Sequence, residues 1–160
     1  MWLRKEAQGK AALFWILATV KVNFVYAFVA LWVLISVGVI VPASPGVDDF
    51  LDIGFVALLL ISLKYALFEE LLFRFPLAIL VWLQYSLGNL LVFALMFSIL
   101  FGLAHGSPEN ILIQGVFGFM LSLLFLKCGG LQGRPFKALA CTFAAHWLYN
   151  ASVFLIGMFF

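Results

Sequence analysis

Charged residues are scarce in this chain. Its 160 residues include nine Lys and Arg and seven Asp and Glu, so 10% of the sequence is charged and 66% is hydrophobic. A soluble globular domain is about 25% charged and about 45–50% apolar. The composition therefore excludes a soluble domain and a disordered chain, and it leaves too few basic residues for a surface that binds nucleic acid. We expect the lipid bilayer to cover most of the molecule.

Several catalytic motifs are also missing. The sequence contains no His-Glu-x-x-His and no Gly-x-Ser, and its aspartates all lie in one segment, as Asp48, Asp49 and Asp52. The first absence excludes a zinc metalloprotease with the His-Glu-x-x-His motif, and the second excludes a serine nucleophile in a Gly-x-Ser motif. The position of the aspartates excludes a paired aspartyl site within the membrane. The two cysteines, Cys128 and Cys141, are too few for a disulfide framework and are interpreted as small apolar fillers.

The hydrophobic residues form long runs. A membrane-spanning helix needs about 20 mainly apolar residues, so the chain has room for five spans with short connections. Lys21 and Asn23 interrupt the first run, so residues 11–20 form either an interfacial segment or an extension of a tilted first helix, which we expect to be uncleaved. The sequence predicts an all-α, polytopic membrane helical bundle with about five transmembrane helices, in a single domain of residues 1–160. The predicted spans are Phe24 to Val41, Ile53 to Leu83, Leu90 to His105, Asn110 to Leu126 and Phe136 to Phe160.

The predicted second span carries three charged residues in mid-membrane, Glu69, Glu70 and Arg74. Each such charge costs at least about 2.5–3.5 kcal/mol on insertion scales, so these residues demand an explanation. Glu70 and Arg74 are four residues apart, share a helix face and can pair. Glu69 points about 100° away and has no partner on its own helix unless the Tyr65 hydroxyl donates to it. It is therefore a candidate general base.

Polar side chains also interrupt two other spans. His105 ends the third span, and His146 and Asn150 share one face of the fifth. Each group has a structural interpretation on its own, as an ion network, a core histidine or an interhelical hydrogen bond. Together they provide a base, a second proton-handling group and hydrogen-bond donors for an oxyanion, which is the set needed for water to attack a peptide carbonyl.

These motifs resemble those of the CAAX protease and bacteriocin-processing (CPBP, or Abi) family of intramembrane endopeptidases. The resemblance covers roughly residues 50–150. It extends to short bacterial members of the family that process carboxyl-terminal sorting signals, the myxosortase-like proteins. The matching motifs are Glu69-Glu70-x-x-x-Arg74, Phe101-x-x-x-His105 and His146-x-x-x-Asn150.

The resemblance implies a role for each motif. Glu69 and His105 would activate water, and His146 and Asn150 would form the oxyanion site. The second glutamate and the arginine of the first motif would hold the site together. The implied substrate is a membrane-anchored or lipid-modified protein, cut near its carboxyl-terminal end.

Location and cofactor requirement follow as expectations. The amino terminus and the segment Lys127–Lys137 are basic, whereas the aspartate segment and the Glu109 loop contain no Lys or Arg. Because basic loops stay in the cytoplasm, we expect an integral membrane protein with a cytoplasmic amino terminus. The resemblance to short bacterial members of the family implies a bacterial or archaeal cell membrane. No cofactor is expected.

Two other interpretations stay open at the level of sequence. The first is chemical: Glu69, His105 and His146 match a His₂Glu zinc site, although the second glutamate and Asn150 suit metal-free water activation better. The second is functional: a non-proteolytic membrane immunity or scaffold protein would have the same fold. The endopeptidase is preferred because all the catalytic positions occur together.

Overall fold

The computed structural model describes residue 3, residues 6–39 and residues 54–159, with side chains up to residue 156. This part of the chain is helical throughout and contains no strand. A π-helical turn, Ile111–Gly115, leads into the fourth helix, and a 3₁₀ turn, Gly130–Gln132, precedes the fifth. The predicted all-helical bundle is confirmed. Its five α-helices are α1 (Lys10–Ser36), α2 (Phe55–Trp82), α3 (Leu87–Leu103), α4 (Val116–Lys127) and α5 (Pro135–Phe159).

Not every helix is equally apolar. In the described part, the three segments long and apolar enough to cross a membrane are Lys10–Ser36, Ile111–Gln132 and Pro135–Ile156. The α3 helix is apolar but has only 17 residues, or about 25 Å, slightly less than the hydrocarbon thickness of about 30 Å. The α2 helix has 28 residues but carries four charged residues between Lys64 and Arg74. Both helices that depart from an ordinary apolar span are therefore connected with candidate site residues. The α2 helix contains Glu69, Glu70 and Arg74, and the α3 helix leads into His105.

The α1 helix runs without interruption through the polar positions that the sequence marked as a break. Asn23 is buried, and its Nδ2 atom donates to the Thr19 carbonyl oxygen at 2.8 Å. The amide therefore bonds to the backbone of its own helix, and Lys21 is exposed. Of the two alternatives for residues 11–20, the continuous helix is observed. The predicted end of this span at Val41 and the aspartate segment lie outside the described residues.

The other predicted helices are found with small shifts at their ends. The α3 helix begins earlier, at Leu87, because the Ser86 hydroxyl accepts from the Asn89 amide at 3.3 Å and caps it. It ends at Leu103, so His105 lies just beyond the helix. The predicted fourth span begins with the π-helical turn, which no periodicity in the sequence indicated.

The amino-terminal segment is tied to the α4–α5 loop. The Ala7 amide donates to the Lys127 carbonyl oxygen at 3.0 Å, and Lys137 Nζ donates to the Ala7 carbonyl oxygen at 3.0 Å. Lys137 also donates to the Glu6 carboxylate, and Arg134 Nη1 lies 3.3 Å from Glu6 Oε2. The hydrogen bond from Lys137 holds the pKa of Glu6 below its ordinary value. The basic segments that were predicted to share one side of the membrane therefore meet at one end of the bundle.

The core lies around α4 and α5. The α5 helix packs against α1, α2 and α4, and α3 packs against α2 and α4. Phe101, Phe117 and Leu121 are among its most deeply buried residues. Cys128 and Cys141 belong to the same core and are free thiols, as their interpretation as apolar fillers requires. This arrangement brings the polar positions of α2 and α5 face to face.

Candidate active site

Glu70 and Arg74 form a buried ion pair within α2. Arg74 Nε lies 3.4 Å from Glu70 Oε2, and the two side chains are 0% and 1% exposed. The pair predicted from the spacing of four residues is confirmed. Two charges this deep in a low-dielectric interior persist only because each has an opposite charge beside it.

His146 on α5 lies between the two glutamates of α2. Its Nδ1 atom is 2.9 Å from Glu70 Oε1, and its Nε2 atom is 3.5 Å from Glu69 Oε2. A carboxylate only accepts, so the Nδ1–H group donates to Glu70. The ring is thereby fixed with Nε2 directed at Glu69.

The two glutamates differ in their surroundings. Glu70 is 1% exposed and has both Arg74 and His146 beside it. Glu69 is 23% exposed, and the only ion-pair partner that it has in the described part of the chain is His146. The carboxylate of Glu69 is therefore accessible, whereas that of Glu70 is enclosed.

Phe101 on α3 connects the polar groups to one another. Its fully buried ring lies 4.7 Å from the His105 ring and 5.8 Å from the His146 ring, measured between centroids. The Arg74 guanidinium lies 5.2 Å from the same ring, within the range of a cation–π contact. Gly118 lets the ring approach, since a Cβ atom there would lie 2.9 Å from Phe101 Cδ1. The phenylalanine of the second motif thus packs against residues of all three motifs.

His105 lies immediately after α3 and is exposed. Its Nδ1 atom is 2.7 Å from the Phe101 carbonyl oxygen, which only accepts, so Nδ1 carries a hydrogen. In the neutral ring, Nε2 is then the nitrogen with a free lone pair. Asn110 Nδ2 donates to the His105 carbonyl oxygen at 2.8 Å and fixes the backbone at this position.

Asn150 lies one turn after His146 on the same face of α5. Its side chain is half-buried, and within the described residues it makes no hydrogen bond.

Of the predicted site residues, the structure brings Glu69, Glu70 and His146 into direct contact, whereas His105 joins them through Phe101.

Aromatic residues that the sequence did not indicate enclose His146. The Phe117 ring lies 5.2 Å from the His146 ring and 4.3 Å from the Tyr149 ring, and Tyr149 lies 5.4 Å from Phe24 of α1. On the other side, Trp147 Nε1 donates to the Leu59 carbonyl oxygen at 3.3 Å and joins α5 to α2. The position of Tyr149 between His146 and Asn150 was the feature of the sequence that could have indicated an aromatic ring beside His146.

The ligand geometry bears on the zinc alternative. Among the described residues, no group of three or more His, Cys, Asp and Glu side chains is arranged to hold a metal ion. Of the three ligands in the zinc alternative, His146 faces Glu69 through Nε2 at 3.5 Å, whereas the ring of His105 packs against Phe101.

Comparison with known proteins identifies the family. Residues 52–152 match the protein family described as type II CAAX prenyl endopeptidase Rce1-like. This match covers nearly the same segment as the predicted resemblance and includes all three motifs. Comparisons with curated proteins and with solved structures gave no match. With more than half of its length matched and with its long apolar helices, the chain is an integral membrane protein that belongs to the Rce1-like family of type II CAAX prenyl endopeptidases.

Proposed function

We propose that this protein is a metal-free, glutamate-dependent intramembrane endopeptidase. It hydrolyses a peptide bond near the carboxyl-terminal end of a membrane-anchored or lipid-modified protein. The family match supports a protease of the CAAX type. The more specific mechanism rests on the contacts of the described residues.

The position of His146 between Glu69 and Glu70 is the observation that carries the proposal. Arg74 lies beside Glu70, and Nε2 of His146 lies beside Glu69, so each carboxylate has a basic side chain next to it. A low-dielectric interior tolerates carboxylates that are paired in this way. This arrangement leaves one accessible carboxylate, Glu69, next to a nitrogen that can donate a hydrogen bond.

Water activation falls to Glu69 and His105 in this mechanism. The Glu69 carboxylate accepts one proton from water while Nε2 of His105 accepts a hydrogen bond from the other hydrogen. The oxygen of the water then forms a bond to the carbonyl carbon of the substrate. General-base catalysis of this kind contributes about 10²–10⁴-fold to a rate.

His146 and Asn150 stabilise the negative charge that develops on the carbonyl oxygen. The Nε2–H group of His146 and the amide of Asn150, one turn apart on the same helix face, both donate to it. When the intermediate collapses, the C–N bond breaks and the leaving nitrogen takes the proton from Glu69. The products are a new carboxyl group and a new amine, and Glu69 is again a carboxylate.

Glu70 and Arg74 have a supporting role. Glu70 accepts from Nδ1–H of His146 and so directs Nε2 toward the reacting carbonyl. Arg74 provides a positive charge beside the Glu70 carboxylate in the core. Neither side chain is exposed enough to meet the substrate.

We also propose a bacterial or archaeal cell membrane as the location, with the amino terminus in the cytoplasm. Lys127, Arg134 and Lys137 lie at the end of the bundle to which the amino-terminal segment is bound. The positive-inside rule assigns that end to the cytoplasm.

The proposed activity is tested with two synthetic probes in detergent micelles. One is an S-farnesylated peptide that ends in a CAAX sequence, and the other carries a carboxyl-terminal apolar helix. We expect mass spectrometry to find cleavage of at least one probe by the wild type and a loss of about 10²–10⁴-fold for His105→Ala. Glu109→Gln is the control in an exposed loop and should retain wild-type activity. Equal cleavage by wild type and His105→Ala would contradict the proposed mechanism, and cleavage of neither probe would favour the immunity or scaffold interpretation.

A further inference from the structure

We propose that Gln114 binds the main chain of the substrate beside the scissile bond. This inference deepens the proposed endopeptidase function and rests on it. Gln114 belongs to none of the three motifs and lies in the π-helical turn before α4.

The π-helical turn is held rigidly against α3. A Cβ atom at Gly102 would lie 2.6 Å from Ile111 Cα and 2.8 Å from the Asn110 carbonyl oxygen. A Cβ atom at Gly115 would lie 3.0 Å from the Ser98 carbonyl oxygen. Backbones this close leave little freedom for the turn. Gln114 is therefore carried by a fixed element, as a substrate-binding residue requires.

The direction of Gln114 follows from its neighbours on α4. It precedes Phe117 by three residues and Gly118 by four, so it shares their face of the helix. At about 100° per residue, its direction falls between theirs. Phe117 contacts the His146 ring and Gly118 contacts the Phe101 ring. Gln114 therefore lies on the face that α4 turns toward the candidate site.

The level of Gln114 along the bundle follows from the helix directions. The short loops on either side of α4 make it antiparallel to α3 and α5. Gln114 lies one turn before Phe117 on α4. Because the helices are antiparallel, it lies level with the residues one turn after Phe101 and one turn after His146. These two residues are His105 and Asn150. Gln114 thus shares the layer that contains these two members of the site.

The chemistry of the side chain indicates what it binds. Gln114 is half-buried, and within the described residues its amide makes no hydrogen bond. An extended peptide in an apolar site has N–H and C=O groups that each need a partner. A carboxamide can donate to one and accept from the other, which a carboxylate or an apolar residue cannot do. The ligand class is therefore an extended peptide backbone.

The experiment measures binding and turnover separately. A fluorescent, S-farnesylated CAAX peptide and an equivalent apolar-helix peptide are titrated into Glu69→Gln protein in micelles, with Gln114 intact or changed to Leu or Glu. We expect the Kd of the bound probe to rise about tenfold for Gln114→Leu and less for Gln114→Glu, which retains the acceptor. In the active protein, KM should rise about tenfold with kcat within twofold. Leu112→Ala, on the opposite face of the same turn, is the matched control and should change neither.

A probe with a backbone ester beside the scissile bond removes one N–H group. It should bind more weakly than the amide probe to protein with Gln114, and no more weakly to Gln114→Leu. A Kd and KM that Gln114→Leu leaves unchanged, or a loss confined to kcat, would overturn the inference. If the wild type binds a probe without cleaving it, the proposed function fails and the Kd comparison still decides the role of Gln114. Binding of neither probe would overturn both.

Discussion

His146 presents its Nε2 atom to Glu69 across 3.5 Å. The opposite nitrogen of the same ring is bound to Glu70, so the histidine separates two glutamates that are adjacent in the sequence. One carboxylate fixes the ring, and the other stays accessible beside it. This division gives the two residues different expected responses to the same substitution.

Glu70→Gln should destabilise the protein. The change leaves the Arg74 charge unpaired where it is 0% exposed, and breaking a buried ion pair in this way costs about 3–5 kcal/mol. Thermal unfolding in detergent micelles measures the loss.

The double variant Glu70→Gln/Arg74→Met is the matched control for that loss. It removes both charges and keeps an oxygen that accepts from His146, so most of the stability should return. Equal stability of Glu70→Gln and wild type would show that the buried pair does not hold α2 and α5 in place.

Asn150→Ala should lower kcat by about 10²–10³-fold, the usual effect of removing one oxyanion donor. The midpoint of thermal unfolding should change little, because within the described residues this amide makes no hydrogen bond. His146→Ala should lower both activity and stability, since it removes the partner of Glu70. An Asn150→Ala protein with normal kcat would assign the oxyanion site to other groups.

Gly102→Ala should be strongly destabilising. Its Cβ atom would meet the Ile111 backbone at 2.6 Å, and backbone atoms of the π-helical turn have little room to move. Gly88→Ala in the same helix is the control, because the nearest atom to its Cβ is Ser86 Oγ at 3.9 Å. There the gain in helix propensity should leave stability equal or higher by up to about 1 kcal/mol. Unfolding midpoints that fall equally for both variants would contradict the close packing of α3 on the turn.

The Glu6 contacts should make the amino-terminal segment sensitive to pH. The hydrogen bond from Lys137, with the Arg134 charge nearby, lowers the pKa of Glu6 below its ordinary value of 4.5. A lowered pKa in the folded state means that the stabilisation is present above pH 4.5 and is lost as the pH falls through the lower, folded-state value. Hydrogen exchange of the Ala7 amide, corrected for the intrinsic rate, reports this opening. Glu6→Gln should remove the pH dependence in that range, and persistence of the dependence would assign it to another group.

Local spacing predicted part of the site. The pairing of Glu70 with Arg74, and the separation of Glu69 from both, followed from 3.6 residues per turn on one helix. The contact of His146 with both glutamates joins residues 76 positions apart, and it depends on how α2 and α5 pack. No periodicity on either helix contains that information.

The same limit applies to the aromatic residues and to the turn before α4. Phe101 was recognised as a motif position, but its contacts with His146 and Arg74 appear only when three helices are assembled. The π-helical turn packs closely against α3 where Gly102 meets Ile111, and this is a tertiary contact. Gln114 was for that reason not indicated by the sequence.

Metal-free hydrolysis by Glu69 is tested most directly by comparing wild type with Glu69→Gln. Each protein is given the farnesylated CAAX peptide and its apolar-helix counterpart, with and without a strong chelator. We expect Glu69→Gln to lose about 10²–10⁴-fold in kcat with little change in unfolding midpoint, and the chelator to have no effect on the wild type. Cleavage by Glu69→Gln at the wild-type rate would contradict the role of this carboxylate. Loss of activity with chelator, restored by zinc, would contradict metal-free water activation.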